Sequence, residues 1–346
     1  MRGITFLGDR RVELREFPDP TPGPKDVIIE IKASGMCGTD LHAYRRPHNG
    51  QHYSIAGHEP CGIIAEIGAH VSDEQVRVGD RVMVHHYDGC GKCRHCIEGW
   101  SQLCDQDPEV YGSGEGHGGH APYMRAAAHT LVPLPDDLTF MTGAAISCGT
   151  GTAYGALKRL NVAGDETIAV FGMGPVGLSA AQFGAEMGAR VIAIETSKER
   201  RDLALQKGAS DVIDPKAIDP VEAIKDLTHG EGAHKSIETA GTQETRDASV
   251  RAVRKWGFAC FIASGGEVTL NVGQDLVKRQ VSVLGHWTFS KTGQADCARF
   301  VSDRKIDIDS LFTEKWSLDQ AVKAYALLDQ QKTGKGVFLP GEKTIG

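Results

Sequence analysis

Four cysteines stand at Cys90, Cys93, Cys96 and Cys104, with two residues between each of the first three and seven before the last. Two intervening residues let consecutive thiolates meet at one ion, and four thiolates satisfy a tetrahedral Zn2+. Gly89, Gly91 and Gly99 supply the tight turns such a loop requires. Buried apolar cysteines would have no reason to keep this spacing. An iron–sulfur cluster is the other option, since its cysteine runs look similar. Closure of the set within one loop favours zinc.

A second constellation is Gly172-Met173-Gly174-Pro175-Val176-Gly177, a G-x-G-x-x-G that follows the apolar run Thr167–Phe171 and opens a helical pattern. In that context the glycines bring backbone close to a pyrophosphate at a helix N-terminus. Glu195, 18 residues past Gly177, stands where an acidic residue would bond the adenosine ribose. Its carboxylate favours NAD over NADP. Lys198, Arg200 and Arg201 just beyond argue the other way, as partners for a 2′-phosphate.

The third is dispersed. Cys37 opens Cys37-Gly38-Thr39-Asp40-Leu41-His42, His58 and Glu59 follow Gly57, and Cys148 lies just before the dinucleotide unit. Two cysteines and a histidine would make an open zinc site with one position left for substrate. Spacing alone does not decide whether they converge, because isolated His and Cys residues are ordinarily structural.

The elements that must position these residues fall into two textures. Residues 1 to about 140 carry short apolar runs bounded by Gly and Pro, the pattern of β-strands. From about residue 150, strands alternate with helical patterns, which implies βαβ units and a parallel sheet. Beyond Gly285 the alternation stops, and an amphipathic helix over 318–328 precedes a last strand over 336–339. The segment 88–119 reads as a long loop that needs something to hold it. The chain has 346 residues, 38 Lys+Arg and 45 Asp+Glu, a net charge of −7, 40 % hydrophobic and 24 % charged residues. That composition excludes wholesale disorder and argues against nucleic acid or an anionic membrane as partner. No apolar run reaches the length of a membrane span. MRGITFLGDRR is expected to be a first strand and not a signal peptide, so the nine clustered cysteines point to a cytoplasmic metal protein and not to disulfides.

The same residues resemble the zinc-dependent medium-chain alcohol dehydrogenases over essentially the whole chain. Gly57-His58-Glu59-x2-Gly62-x5-Gly68-x2-Val71 is similar to that family's zinc signature, the four-cysteine lobe to its structural zinc site, and Gly172–Gly177 to its coenzyme loop. The resemblance implies an α/β fold, a Rossmann coenzyme domain (a doubly wound parallel sheet) over 150–285 beside a GroES-like β-rich catalytic domain. The catalytic domain would occupy 1–149, with a zinc lobe at 88–105, and 286–346 would return to it. Two Zn2+ per subunit are implied. Cys37, His58 and Cys148 would hold the catalytic one, with Glu59 an occasional ligand or neighbour and Asp40 orienting His58. Thr39 would take the alcohol proton and His42 deliver it to solvent, while Thr152 and Lys335 would contact the coenzyme. Cys148 looks like the alcohol dehydrogenase branch, where polyol enzymes usually carry Glu and threonine dehydrogenases Asp.

By motif position the pocket wall would include His86, His120 and Trp287. Imidazoles in place of apolar walls point to a polar or polyol-like alcohol, because a site built to bond hydroxyls rejects analogues that lack them. The substrate reading from Cys148, simple aliphatic or benzylic alcohols, pulls the other way. The expected activity is hydride transfer between such an alcohol and NAD, giving an aldehyde or ketone, in a homo-oligomer (tetramer or dimer). Two other readings compete with it. A non-catalytic zinc-stabilised redox sensor would need a broken ligand set, and a metal-free reductase of the same superfamily would lack both cysteine sets. Cys61, Cys260 and Cys297 are expected to be buried small hydrophobes.

Overall fold

The computed structural model describes residues 1–48, 53–113, 116–331 and 333–341. The chain divides into two compact units. One comprises Met1–Gly151, Phe289–Gln331 and the chain from Lys335 onward; the other comprises Thr152–Thr288 with Thr333 and Gly334. Residues 342–346, the end of the expected C-terminal return, lie outside the described residues.

The first unit is built on the strand Asp26–Gly35. Its run of aliphatic residues buries Val27, Ile29 and Ile31 with Ile64, Val82, Val84, Met124 and Leu131 in one core. Glu59–Ile67 pairs with it antiparallel, Tyr123–Ala127 also pairs with it, and Arg81–Val84 and Leu131–Pro133 extend the sheet. In that register Gly35 lies opposite Glu59. A Cβ on Gly35 would overlap the Glu59 carboxylate, so glycine here makes room for a charged side chain inside a sheet. On the other side, Phe312–Trp316 pairs parallel with Lys335–Phe338, which runs antiparallel to Asp26–Gly35. A second core, with Ile4, Phe6, Met36, Leu41, Tyr44, Trp316, Tyr325 and Phe338, fastens the short helix Asp40–Arg45 and the helix Ala321–Asp329.

Two local expectations shift. The amphipathic stretch at 318 begins as a single 3-10 turn, Leu318–Gln320, and becomes α-helical only at Ala321. Ser317 and Gln320 form a reciprocal capping box that sets this start. The long loop after Asp88 contains a one-turn helix, Arg94–Ile97, a 3-10 turn, Ser101–Leu103, and a two-residue pairing of Tyr87–Asp88 with Glu109–Val110.

The second unit has six parallel strands in the spatial order Asp211–Ile213, Arg190–Ile194, Thr167–Phe171, Ala233–Glu238, Val253–Phe261, Ser282–Gly285. Numbered along the chain that order is 3-2-1-4-5-6, the doubly wound arrangement whose switch point lies at the first strand. The helix Pro175–Glu186 starts there, with Pro175 in its first turn, where a missing N–H is harmless. Gly177 packs this helix on the turn before it, since a Cβ there would overlap the Gly172 carbonyl. Gly177→Ala is therefore expected to force the helix off the strand and lower stability by about 1–3 kcal/mol. The check is a thermal unfolding curve against wild type; an unchanged midpoint would refute the packing argument.

Candidate metal and coenzyme sites

Ligand atoms of Cys90, Cys93, Cys96 and Cys104 all lie within 4.8 Å of one another. The turns do this locally: Gly91 and Gly99 take left-handed φ values of +69° and +84°, and a Cβ on Gly89 would crowd the Cys96 sulfur. The sulfurs already receive amide hydrogens, from Cys93 N to Cys90 Sγ (3.4 Å) and from Cys90 N and Gln106 N to Cys104 Sγ (3.3 and 3.4 Å). Amide donors favour thiolates. They hold the Cys90 thiol below its ordinary value and bring Cys93 to about 6. All nine cysteines are free, so nothing competes with a tetrahedral ion here.

The dispersed residues also meet. Cys37, His58, Glu59 and Cys148 offer ligand atoms within 4.8 Å of one another, and the sulfurs of Cys37 and Cys148 are 3.9 Å apart. Cys37 ends the strand-to-helix turn after Asp26–Gly35, His58 and Glu59 begin the neighbouring strand, and Cys148 sits between the helices Phe140–Ile146 and Gly149–Leu160. Two thiols and an imidazole gathered in a buried place suit Zn2+, and with Glu59 held off the ion they leave the fourth tetrahedral position for a ligand. Asp40 Oδ1 lies 3.2 Å from His58 Nδ1, so Nδ1–H points at the carboxylate and Nε2 stays free for an ion.

Glu59 is fully buried. Burial lifts its carboxyl to about 7 against the pull of the Lys335 ammonium. Lys335 Nζ donates to Glu59 Oε2 and, at 3.2 Å, to the Met36 carbonyl; Glu59 Oε1 has no hydrogen-bond partner among the described residues, and Glu59 is one of the four residues whose ligand atoms converge. This corrects the expected place of Lys335. Its side chain is 1 % exposed, and its charge is spent on Glu59 and not on a pyrophosphate. Thr39, exposed, precedes the helix Asp40–Arg45 without a side-chain cap, its hydroxyl 3.5 Å from Cys37 Sγ; His42, in the first turn, is also exposed.

His86 is buried with its ring 5.1 Å from that of His58, and its Nδ1 is 3.1 Å from the Ser147 carbonyl. A carbonyl only accepts, so Nδ1 carries the proton. Burial drives this imidazole well below its ordinary value, so the ring is neutral and Nε2 is an acceptor. His120 corrects the expectation of a second pocket imidazole. It is 0 % exposed, with Nδ1 on Ser34 Oγ and Nε2 on Tyr325 Oη, both at 2.8 Å. Trp287 belongs to the second unit and is 52 % exposed. The Ser34–His120–Tyr325 contacts were missed by sequence reasoning. Tyr325 carried no signal, sitting 205 residues from His120 and 285 from Asp40.

In the second unit Gly172 adopts φ +89° and Gly174 has open space where a Cβ would be, the room a diphosphate needs. Val176 follows Pro175 in the first turn of the helix, and Thr152 is buried in the helix Gly149–Leu160. Glu195 ties the loop down, accepting from Met173 N at 2.8 Å and from Ser197 N at 2.9 Å. Of the cations that argued for a 2′-phosphate, Arg201 is held by the Glu195 and Thr196 carbonyls and Asp214, Arg200 donates to the Thr333 carbonyl, and Lys198 pairs with Asp202.

Residues 23–136 match the alcohol dehydrogenase GroES-like domain, and residues 175–303 the zinc-binding dehydrogenase domain. An uncharacterized zinc-type alcohol dehydrogenase-like protein of Escherichia coli (strain K12) is 35 % identical, over 96 % of each chain. An alcohol dehydrogenase of Geobacillus stearothermophilus is 32 % identical, over 85 % of this chain and 87 % of its own. The crystal structure of a putative zinc-binding dehydrogenase from Sinorhizobium meliloti 1021 bound to NADP superposes with a TM-score of 0.86, at 27 % identity, covering 98 % of this chain and 99 % of that one. No helix among the described residues is long and apolar enough to cross a membrane.

The buried Lys335–Glu59 pair yields a direct test. Removing one partner of a buried pair strands the other charge, so Lys335→Met is expected to destabilise the first unit by about 3–5 kcal/mol. The double variant Lys335→Met with Glu59→Gln should recover part of that loss. Urea unfolding of the three proteins measures both, and a single variant as stable as wild type would contradict the burial described.

Proposed function

The chain belongs to the zinc-dependent medium-chain alcohol dehydrogenase family, an oxidoreductase family acting on CH–OH groups, and from that premise we propose that it oxidises a polar, hydroxyl-rich alcohol with NAD. The observation that carries the proposal is the buried, neutral His86, whose ring lies 5.1 Å from that of His58 in the Cys37/His58/Cys148 donor set and whose Nδ1 is taken by the Ser147 carbonyl, leaving Nε2 as an acceptor. When bound, zinc supplies a Lewis acid for the alcohol oxygen and the nicotinamide coenzyme supplies the hydride acceptor. The protein does the rest. Cys37, His58 and Cys148 hold one ion, with Glu59 in reserve, and the four-cysteine lobe holds the other. Thr39 Oγ1 would accept the alcohol proton while releasing its own hydroxyl hydrogen into a relay, and His42, exposed, would give a proton from that relay to solvent. His86 Nε2 accepts a hydrogen bond from a second substrate hydroxyl. Gly172, Gly174 and Gly177 with Pro175, Val176 and Thr152 shape the coenzyme loop, and the Glu195 carboxylate takes the ribose hydroxyls. The engagement of Arg201, Arg200 and Lys198 elsewhere supports NAD over NADP.

A second copy of the chain is the proposed partner. The strand Ser282–Gly285 is an end strand of the six-stranded sheet among the described residues, and Val283, Phe258 and Trp287 are 37 %, 38 % and 52 % exposed. An edge strand with apolar exposure invites strand pairing.

Initial rates with paired polar and apolar alcohols, run with NAD+ and NADP+, test the reading. Polyols or other oxygenated alcohols should win, and His86→Phe should cut their kcat/KM about tenfold while sparing apolar alcohols. A preference for simple aliphatic or benzylic alcohols would overturn the substrate class, and faster turnover with NADP+ the coenzyme. Zinc analysis should give two ions per chain, and Cys148→Ala one with turnover abolished; turnover retained by that variant would sink the ligand set. Light scattering should find a dimer or tetramer that Val283→Lys disrupts, whereas a monomeric wild type would remove the edge-pairing argument.

A further inference from the structure

Behind His58 runs a line of buried polar groups that the function above does not use. Asp40 Oδ1 faces His58 Nδ1 at 3.2 Å, and Asp40 Oδ2 accepts from Tyr325 Oη at 3.1 Å and from Cys37 N at 2.9 Å. Tyr325 Oη lies 2.8 Å from His120 Nε2, and His120 Nδ1 lies 2.8 Å from Ser34 Oγ. Every member is buried, and Tyr325 and Ser34 are 0 % exposed.

The hydrogens can be placed by elimination. Asp40 Oδ2 accepts the Cys37 amide hydrogen at 2.9 Å, and Oδ1 faces His58 Nδ1. Both oxygens are thereby placed as acceptors, so the single phenolic hydrogen of Tyr325 goes to Asp40 Oδ2. The Tyr325 oxygen must then accept from His120 Nε2–H. Burial brings His120 down to about 4, so the ring is neutral and its Nδ1 is bare. That nitrogen accepts from the Ser34 hydroxyl. The donors therefore all point one way, Ser34 to His120 to Tyr325 to Asp40. With Oδ2 satisfied twice, Oδ1 is the oxygen left to hold His58 Nδ1–H.

The packing is arranged for this line. Gly57, immediately before His58, has φ +93°, and a Cβ there would overlap the His120 ring. Phe338 meets the same ring edge-on at 4.7 Å, and Phe6 meets Tyr325 edge-on at 4.8 Å.

We propose that Tyr325 and His120 are positioning residues for the metal, a one-way donor line that locks the Asp40 carboxylate and thereby the tautomer and aim of His58. The proposal rests on the reading of His58 as a zinc ligand. Outer partners of a metal-bound imidazole commonly change metal affinity by about 10–100-fold.

The test uses the full chain loaded with zinc or with cobalt. Tyr325→Phe keeps the ring and removes only the donor. It should weaken metal binding at the Cys37/His58/Cys148 site about tenfold or more in chelator competition, and shift the visible bands of the cobalt protein. The four-cysteine lobe serves as an internal control and should not change. His120→Phe leaves the Tyr325 hydroxyl free to keep donating, so its loss should be smaller, and the double variant should be no worse than Tyr325→Phe alone. In the unaltered protein labelled with 15N-histidine, the resonance that His120→Phe removes should report a neutral ring protonated at Nε2. A ring protonated at Nδ1 would overturn the proposal even where Tyr325→Phe fails to fold. So would a Tyr325→Phe protein with a lowered melting point but unchanged metal affinity and cobalt bands, the mark of a merely structural tyrosine. A His58→Ala protein that still binds two zinc ions would defeat the ligand reading itself, and is separable from both.

Discussion

The structure of the first unit depends on bringing two thiols, an imidazole and a carboxylate within 4.8 Å of one another in a buried place. Thiolates repel, and a buried carboxylate is poorly solvated, so the surroundings have to supply opposite charge and hydrogen bonds. The metal expected from the family is one source. Lys335 and Asp40 are sources built into the chain: one places an ammonium on Glu59, the other gives His58 Nδ1 its acceptor. Gly35 then becomes intelligible as the position where the sheet must have no side chain, because the Glu59 carboxylate occupies that space.

Charge placement also explains why the two cysteine sets differ. The lobe of Cys90, Cys93, Cys96 and Cys104 draws on backbone amides of its own loop, and its members range from buried to partly exposed. Such a site is a local clamp on a long excursion of chain. The Cys37/His58/Cys148 site draws on side chains from opposite ends of the chain and is buried throughout, apart from the intermediate exposure of one ligand. The first arrangement suits a clamp that keeps a loop in shape; the second suits holding an ion where chemistry could use it.

How far the sequence reveals this follows from the range of the contacts. The zinc lobe and the glycine loop are legible because each is closed within a few residues, and their spacing is the geometry. The strand–helix alternation after residue 150 is legible for the same reason. The Cys37, His58 and Cys148 set is legible only through likeness to a family, since no periodicity links residues 111 apart such as Cys37 and Cys148. Likeness to the family places Lys335 at a coenzyme, and motif position places His120 at a pocket. Their true partners, Glu59 at a separation of 276 and Tyr325 at 205, could not be read from neighbours in the chain. An ionisable residue near a motif is easily given to the ligand when its partner is buried protein.

The separations carry a consequence for how the site comes into being. Tyr325 and Lys335 lie beyond the stretch Thr152–Thr288 that forms the second unit, yet they contact Asp40 and Glu59 near the start of the chain. Until Phe312–Trp316 and Lys335–Phe338 join the strand Asp26–Gly35, Glu59 has no ammonium and Asp40 lacks one of its donors. Closing so long a loop is slow, although each doubling of its length adds only about 0.6 kcal/mol of entropy. The sheet of the first unit and the polar groups around His58 are therefore completed by the same event. The C-terminal strand and helix belong to the metal site as much as the residues that would touch the ion.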